Sequence, residues 1–282
     1  MNNTWQTGVA VPLDESELKA LVHDANLLAD VAAAAIRPYF RNSVAVQNKR
    51  GASSALVTEI DPVTMADRAA EEAIRNKLSD IRPQDSVLGE EFGYSAGTSG
   101  LCWIIDPIDG TRGFVCGLPT WGTLIAVHNG VSTIAGIMDQ PILKERYTGS
   151  TLGANLECNA TSKRLSVSGK TQLEQAFLCT TSPDLFSGTK ADGFNRLKQQ
   201  VSITRYGTDC YGYAMLAAGQ VDVVVETGLQ AYDIQALIPI VEAAGGVITN
   251  WSGERIDDGG DVIAAASTEL HATIVKCLSG KL

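Results

Sequence analysis

The order of hydrophobic patterns along the chain is the feature that most restricts its fold. Apolar residues recur at steps of three and four from Glu17 to Phe40, which predicts an amphipathic helix that Pro38 ends. Asp61 and Pro62 then predict the cap and the first residue of a second helix, which continues to Leu78.

The pattern changes after the second helix to short runs that are rich in β-forming residues. The Asn129-Gly130 pair between two of these runs predicts a tight hairpin turn. Beyond Gly149 strands and helices alternate, as in an α/β arrangement. We therefore expect an N-terminal α+β lobe over residues 1–149 and a C-terminal α/β lobe over residues 150–282. The expected strands of the first lobe are Ser86–Leu88, Leu101–Ile105, Thr123–His128, Val131–Met138 and Arg146–Thr148. The expected elements of the second lobe are strands at Ala176–Thr180, Ile203, Val221–Glu226 and Val247–Trp251 and helices at Lys190–Gln199, Tyr211–Ala218 and Asp233–Ala244.

The charge balance restricts the partners of the protein. The 282 residues include 22 Lys and Arg against 32 Asp and Glu, a formal net charge of −10, and no basic run forms a phosphate-binding patch. Nucleic acid is therefore not an expected partner. The acidic surplus either keeps the protein soluble or gathers carboxylates around divalent cations.

Targeting signals and cysteine usage predict a cytoplasmic protein. The N-terminus has neither the basic start nor the apolar run of a signal peptide. The longest apolar stretch, Leu27 to Ile36, is interrupted by Asp30 and is too short for a membrane span, which needs about 20 apolar residues. No membrane partner is expected. The six cysteines form no CxxC pair, which predicts reduced, structural thiols without zinc or disulfides.

Acidic residues fall at the predicted ends of three elements. Glu90 and Glu91 follow an apolar run, Asp106 and Asp109 end the run that starts at Trp103, and Asp233 starts a helix. Mg²⁺ prefers several oxygen ligands, and an Asp-x-x-Asp pair at a strand end supplies them. The carbonyl of Ile108 lies between the pair, and Gly110-Thr111 can present backbone N–H groups to an anion. A metal next to an anion indicates a phosphate site.

Each acidic group alone has a plainer interpretation. Asp-Pro is common in turns, a Glu-Glu pair is common on solvated faces, and Asp233 could be an N-cap. The three histidines, His23, His128 and His271, lie away from these groups, so neither a histidine base nor a His-ligated zinc is expected. A structural Ca²⁺ site would need an EF-hand loop, which the sequence lacks.

Four blocks of the sequence resemble the Mg²⁺-dependent, lithium-sensitive inositol monophosphatase family. The blocks are Val57–Asp61, Gly89–Glu91, Trp103–Thr111 and Tyr232-Asp233, the last followed by Glu242–Gly246. The resemblance spans nearly the whole chain and implies the αβαβα layered sandwich of fructose-1,6-bisphosphatase-like folds. The third block is highly specific. Tyr232 departs from the family, which usually has Trp before the metal-binding aspartate.

The resemblance also implies roles for individual residues. Two or three Mg²⁺ ions would activate a water for in-line attack on the phosphate, without a covalent nucleophile. The implied metal ligands are Glu90, Asp106, Asp109, Asp233 and the carbonyl of Ile108, with Glu91 at a weaker, water-mediated metal. The implied catalytic groups are Asp61, Thr111 and Glu90. The implied substrate contacts are Glu90, Asp109, Gly110, Thr111, Asp209, Glu226 and Asp233.

Within the family, three segments look like the histidinol-phosphate phosphatase branch. They are Gly110–Phe114, Gly117–Ile125 and Tyr206–Tyr213. Histidinol carries an ammonium and an imidazole, which Asp209 and Glu226 could bind by charge-assisted hydrogen bonds. These acids could also bind the hydroxyls of inositol, so a polyol substrate stays open. Arg205 could fix the pocket through a carboxylate or lie on the surface.

The expected function is therefore a Mg²⁺-dependent phosphomonoester hydrolase that acts on L-histidinol phosphate, a small phosphorylated metabolite. An inositol-1-monophosphatase or broad sugar phosphatase is the alternative enzyme. A non-catalytic module that binds phosphate esters is the alternative of another class. The family resemblance further implies a homodimer.

Overall fold

A computed structural model describes residues 5–42, 46–48, 62–256 and 258–281 of the chain. Asp61 lies outside the described residues, and the helix that it was predicted to cap begins only at Met65. The described residues form five layers, in which two sheets alternate with three layers of helices. This is the αβαβα sandwich that the family resemblance implied.

The first layer contains helices α1 (Glu15–Ile36) and α2 (Met65–Ile81). Asp14 caps α1 by accepting from the backbone N–H of Glu17, whose carboxylate in turn accepts from the backbone N–H of Asp14. The prediction that Pro62 begins the second helix is wrong. Residues Pro62–Thr64 form strand β2, which pairs antiparallel with β1 (Val46–Asn48), and α2 starts only after that pairing ends.

The second layer is a mixed eight-stranded sheet. Its strands are β3 (Ser86–Gly89), β4 (Gly93–Ser95), β5 (Cys102–Asp109), β6 (Gly122–His128), β7 (Thr133–Gln140), β8 (Glu145–Ser150), β9 (Gly153–Cys158) and β10 (Thr161–Arg164). They lie in the order β10-β9-β8-β7-β6-β5-β3-β4. The expected strands between residues 86 and 148 are all confirmed, and Asn129 and Gly130 lie in the expected hairpin between β6 and β7. The sheet continues to Arg164, past the lobe boundary expected near residue 150, and the division into lobes stays a prediction.

The middle layer is helical and is shared by both sheets. It contains α5 (Asp209–Ala217), α6 (Ala231–Ile234) and α7 (Leu237–Ala243). Helix α7 packs on β7 and β8 of the first sheet and also contacts β14 (Val247–Asn250) of the second. The single helix expected from Asp233 to Ala244 is wrong, because the chain forms α6 and α7 instead. Pro239 has no N–H to donate and is tolerated in the first turn of a helix, which favours a new helix start two residues before it.

The fourth and fifth layers complete the chain. The second sheet has the strand order β12-β11-β13-β15-β14, formed by β11 (Phe177–Thr180), β12 (Ile203–Tyr206), β13 (Val223–Leu229), β14 and β15 (Gly260–Ala265). Helices α4 (Gly188–Lys198) and α8 (Thr268–Leu278) pack together against its outer side. Strand β15, helix α8 and strands β9 and β10 were not predicted. Among the described helices, none has a stretch both long and apolar enough to cross a membrane.

Candidate active site

Strand β5 brings the Asp106 and Asp109 carboxylates to the edge of a buried core. Its residues are buried from Cys102 to Ile108, but its pairing with β6 shifts register between Asp106 and Asp109. Pro107 lies in that interval and has no N–H for the ladder, so a bulge is the expected accommodation. The backbone N–H of Ile108 donates instead to the Asp106 carboxylate across 3.0 Å. The irregular strand end thus fixes the orientation of Asp106.

Asp233 joins these two carboxylates from the middle helical layer. Its side chain accepts from the backbone N–H of Gln230 across 2.7 Å, which ties it to the start of α6. One oxygen each from Asp106, Asp109 and Asp233 lies within 4.8 Å of the other two. The structure therefore brings together three of the predicted metal ligands from positions up to 127 residues apart in a cluster small enough to surround one cation.

The electrostatics of this cluster favour a bound cation. Burial, reinforced by the negative charge of neighbouring carboxylates, raises the pKa of Asp106 and of Asp109 well above the usual range. Glu90 is among the groups that raise the pKa of Asp106. Hard carboxylate oxygens held together against their own repulsion are the donor set that Mg²⁺ prefers. The residues present thus fit the metal that the sequence predicted.

Glu90 and Glu91 are positioned by a residue that sequence reasoning missed. The buried Glu71 carboxylate on α2 accepts from the backbone N–H of Glu91 across 2.7 Å and from Arg75 across 2.8 Å. A Cβ atom at Gly89 would lie only 1.9 Å from this carboxylate, so any side chain at position 89 would displace Glu71. The backbone N–H of Glu90 donates to β5 across 3.2 Å. Both contacts hold Glu90 next to the aspartates.

A second missed residue, Asp67, acts on the same cluster. It is buried on α2, and its charge contributes to the raised pKa of Asp106. Asp67 and Glu71 are four residues apart, on the face of α2 that also buries Ala66, Ala70 and Ile74. Two acids on the apolar face of an amphipathic helix are the sequence signal that could have revealed them.

Gly110 and Thr111 form a sharp turn into helix α3 (Thr111–Val115). Gly110 adopts φ 88°, a left-handed conformation that favours glycine. The Thr111 hydroxyl donates to the carbonyl of Ile108 across 3.1 Å. A carbonyl has two lone pairs, so this bond leaves Ile108 able to act as the metal ligand that the family resemblance implies. The partner expected for Thr111 in the water-orienting pair, Asp61, lies outside the described residues.

The two acids predicted to contact the substrate, Glu226 and Asp209, lie on the second sheet and in the middle helical layer. Glu226 is buried at 1% exposure on β13 and accepts from the backbone N–H of Thr181 across 2.6 Å and from two threonine hydroxyls. Burial raises the pKa of Glu226 to about 8. Asp209 starts α5, and burial raises its pKa to about 6, although Thr181 and Arg112 favour its ionised form.

One cavity of about 580 Å³ contains nearly all of the predicted site residues. The predicted residues that line it are Glu90, Asp106, Ile108, Asp109, Gly110, Thr111, Asp209, Glu226 and Asp233. Tyr232, Arg112 and Thr181 also line it. Neither Arg112 nor Thr181 was assigned a role from the sequence, although Arg112 lies within the Gly110–Phe114 segment quoted there. Arg205 lies exposed on edge strand β12 and is not part of this lining.

Known proteins are similar to this chain in both sequence and fold. The model of the inositol monophosphatase family matches residues 18–280. The chain is 38% identical over 277 residues to the chloroplastic bifunctional phosphatase IMPL2 of Arabidopsis thaliana. This alignment covers 94% of this chain and 77% of the relative. It is 36% identical over 266 residues to histidinol-phosphatase of Streptomyces coelicolor, with 90% of this chain and 95% of the relative covered.

A solved structure gives the same result for the fold. An inositol monophosphatase from Zymomonas mobilis superimposes with a TM-score of 0.80 at 36% identity, over 93% of this chain and 98% of that chain. The layered α/β sandwich of this chain is therefore the fold of a known phosphatase class. The chain belongs to the inositol monophosphatase family, whose members are metal-dependent phosphomonoester hydrolases.

Proposed function

We propose that the protein is a Mg²⁺-dependent histidinol-phosphatase, which hydrolyses L-histidinol phosphate to L-histidinol and phosphate. The observation that carries the proposal is the pair of carboxylates, Asp209 and Glu226, in the same cavity as the metal-binding cluster. Histidinol phosphate presents an ammonium and an imidazole beyond its phosphate. Carboxylates within hydrogen-bond reach of such groups bind them with charge-assisted hydrogen bonds.

The proposed metal ligands are Glu90, Asp106, Asp109, Asp233 and the carbonyl of Ile108, with Glu91 at a weaker site. Bound Mg²⁺, in two or three copies, supplies an activated water and neutralises charge on the phosphate and on the leaving oxygen. The backbone of Gly110 and Thr111 is proposed to hold the phosphate, and Thr111 with Asp61 to orient the water. No protein nucleophile is required in this scheme.

Asp209 and Glu226 are proposed to hold the alcohol part of the substrate. Ionised Asp209 would accept from the ammonium, and Arg112 beside it favours the ionised form of this carboxyl. Hydrogen bonds from Thr180 and Thr181 fix the carboxyl group of Glu226, so this group is already oriented when the substrate binds. Proton release from Glu226 on contact with a cationic ring would strengthen the contact.

A second candidate activity is the hydrolysis of inositol 1-phosphate or related sugar phosphates. The similarity to the Zymomonas mobilis inositol monophosphatase supports it, and carboxylates can also accept from hydroxyl groups. A third candidate is a module that binds phosphate esters without turning them over. The gathered acidic cluster disfavours this third candidate, because binding alone does not need it.

The deciding experiment compares phosphate release from L-histidinol phosphate and from myo-inositol 1-phosphate, with Mg²⁺ and with EDTA. We expect the higher kcat/KM with histidinol phosphate and no release in EDTA. Equal rates, or a preference for the inositol ester, would contradict the assignment of histidinol phosphate as the substrate. Tight binding of histidinol phosphate without Mg²⁺-dependent release of phosphate would contradict the proposed phosphatase activity.

Asp209→Asn is the sharpest variant for this comparison. Asp209 has φ 44°, a conformation that asparagine also tolerates, so the substitution removes charge with little backbone strain. We expect KM for histidinol phosphate to rise about tenfold, and KM for inositol phosphate to change by less than about twofold. Asp184→Asn, at an exposed position, is the matched control.

Two coarser features complete the proposal. We propose a homodimer, which is supported by exposed Ile203 and Tyr206 on edge strand β12, and light scattering would measure its mass.

A reducing cytoplasmic location is supported by the six cysteines, all of which are free thiols.

A further inference from the structure

A second cavity, of about 540 Å³, lies apart from the active-site cavity and shares none of its lining residues. It is lined by helix α7, strand β14, the loop that follows β14, and the hairpin between β6 and β7. Ile238, Val247, Ile248 and Ile256 supply an apolar wall. The cavity therefore has room and apolar surface for a small organic ligand.

Two opposite charges also line this cavity. Glu242 on α7 and Arg255 in the loop are both exposed, and the positive charge of Arg255 acts on the carboxyl of Glu242. A guanidinium has five N–H donors in a fixed plane, so Arg255 can hold a carboxylate besides its hydrogen bond to the carbonyl of Val131. A simple anion would meet repulsion from Glu242, and a simple cation would meet repulsion from Arg255. A ligand that carries an ammonium and a carboxylate on the same carbon atom can pair with both side chains.

The inner wall of the cavity reaches the element that carries Asp233. Gln235 lines the cavity, is buried at 3% exposure, and accepts from the hydroxyl of Thr133 at the start of β7. Its backbone N–H donates to the carbonyl of Ala231 across 3.0 Å, which closes the turn of α6 around Asp233. A ligand that contacts Gln235 thus bears on the turn that positions a metal-cluster carboxylate.

We propose that this cavity binds a small zwitterion, an α-amino acid with an apolar side chain, and that its occupancy is coupled to the metal cluster through Gln235. The carboxylate of the ligand pairs with Arg255, its ammonium pairs with Glu242, and its side chain packs on the apolar wall. The site is distinct from the proposed substrate site and does not depend on which phosphate ester is hydrolysed.

Isothermal titration of the full chain with L-leucine and with L-phenylalanine tests the site. We expect binding at about 1 mM or tighter for at least one of them. 4-Methylpentanoate lacks the ammonium of leucine and 3-methylbutylamine lacks its carboxylate, so each should bind at least about tenfold more weakly than leucine. No heat from either amino acid at about 10 mM, or equal binding of the truncated probes, would overturn the proposal.

Matched variants localise the binding. Glu242→Gln and Arg255→Gln should each weaken amino-acid binding at least about tenfold. Glu174→Gln removes an exposed carboxylate elsewhere, and Arg164→Gln removes an exposed arginine that also donates to a backbone carbonyl. Both controls should bind as the unaltered protein does. Wild-type binding by Glu242→Gln and Arg255→Gln would overturn the assignment to this cavity.

The coupling between amino-acid binding and Mg²⁺ binding is measured by two pairs of titrations. The amino-acid titration is repeated with saturating Mg²⁺, and the Mg²⁺ titration is repeated with saturating amino acid. Linkage requires the two dissociation constants to change by the same factor, which we expect to be about threefold or more. Identical constants with and without the second ligand would overturn the coupling. These measurements involve no turnover, so a failure here is distinguishable from a failure of the proposed function.

Discussion

The backbone N–H of Cys210 donates to Oδ2 of Asp109 across 2.7 Å, and the two residues are 101 positions apart in the chain. Asp109 belongs to the acidic cluster, whereas Cys210 lies in the first turn of α5, next to Asp209. The positive end of a helix and its unpaired N–H groups favour such an anion. This one bond therefore joins the proposed metal site to the proposed substrate site, and a shift of either end displaces both.

Gly110→Ala should disturb this junction. A Cβ atom at Gly110 would lie 2.9 Å from the carbonyl oxygen of Thr120 and 3.1 Å from Cβ of Asp209. The left-handed backbone adds strain of about 1–2 kcal/mol for alanine. We expect phosphate release to fall at least about tenfold, which corresponds to about 1.4 kcal/mol in the activation free energy.

Gly169→Ala is the matched control for this prediction. Gly169 has a similar backbone, φ 72°, but nothing lies within 4 Å of its Cβ position. Urea unfolding should show the cost of the left-handed backbone in both variants and a further loss from the close contacts in Gly110→Ala, while only Gly110→Ala loses activity. If both variants kept full activity, the close approach of Gly110 to Asp209 would not be needed for phosphate release.

Asp106→Asn should abolish turnover and yet stabilise the metal-free protein. Asparagine keeps an oxygen for the backbone N–H of Ile108 but removes one charge from a buried, mutually repelling cluster. Turnover should fall at least about 1000-fold, or about 4 kcal/mol. In EDTA the melting temperature should rise by about 2–4 °C for each kcal/mol of repulsion that is relieved.

Mg²⁺ should raise the melting temperature of the unaltered protein, because a ligand that binds only the folded state stabilises it. It should have little effect on Asp106→Asn. Asp192→Asn, which is exposed on α4, should respond to Mg²⁺ as the unaltered protein does. An unchanged response to Mg²⁺ in Asp106→Asn would contradict the role of Asp106 as a metal ligand.

Local sequence signals predicted the part of the site that lies within single segments. The run from Trp103 to Thr111 contains the buried strand, its acidic end and the following turn, and all three are observed. Gly89-Glu90-Glu91 likewise follows a strand, as expected. In each case, neighbouring residues supply both the structure and the functional groups, so a pattern of about ten residues is sufficient.

Contacts between distant segments were not predictable in the same way. Glu71 acts on Glu91 from another element, and the bond between Cys210 and Asp109 exists only once the first turn of α5 meets the end of β5. The split of the helix after Asp233 was signalled by Pro239, but the periodicity of the apolar residues continues across the break. Tertiary packing decides such cases, because it selects among local conformations of similar free energy.

Glu226→Gln should change the pH dependence of stability in the metal-free protein. Burial raises the pKa of folded Glu226 to about 8 from the ordinary 4.5, so the folded state holds a proton that the unfolded state releases. The contribution of Glu226 to the free energy of unfolding is therefore highest below pH 4.5 and falls as the pH rises to about 8, by on the order of 5 kcal/mol in total.

Glutamine is neutral at every pH and avoids this loss. The Glu226→Gln variant should gain stability relative to the unaltered protein as the pH rises from 5 to about 8, as measured by urea unfolding in EDTA. The same variant should lose activity on histidinol phosphate. Glu174→Gln, at an exposed position, should leave both profiles unchanged. A stability difference that does not depend on pH would show that Glu226 is ionised in the folded protein.

Glu71→Gln tests whether a buried acid on α2 positions the Glu90-Glu91 turn. Both oxygens of Glu71 accept hydrogen bonds, one of them from the backbone N–H of Glu91 and the other from Arg75 and the backbone N–H of Phe92. Glutamine replaces one acceptor by an NH₂ group that faces a donor. It also removes the charge that pairs with Arg75. Loss of a hydrogen bond to a buried charged group costs about 1.5–3 kcal/mol, which urea unfolding would detect.

The functional consequence of Glu71→Gln follows from the same geometry. A displaced turn moves Glu90 away from Asp106, so the affinity for Mg²⁺ should fall by about tenfold, or about 1.4 kcal/mol, in calorimetric titrations. The adjacent Glu72 is exposed on the same helix, and Glu72→Gln should change neither stability nor Mg²⁺ affinity. If Glu71→Gln lost stability but bound Mg²⁺ normally, Glu71 would support the fold alone. Parallel losses in both measurements, absent from Glu72→Gln, would establish that α2 holds the metal-binding glutamate in place.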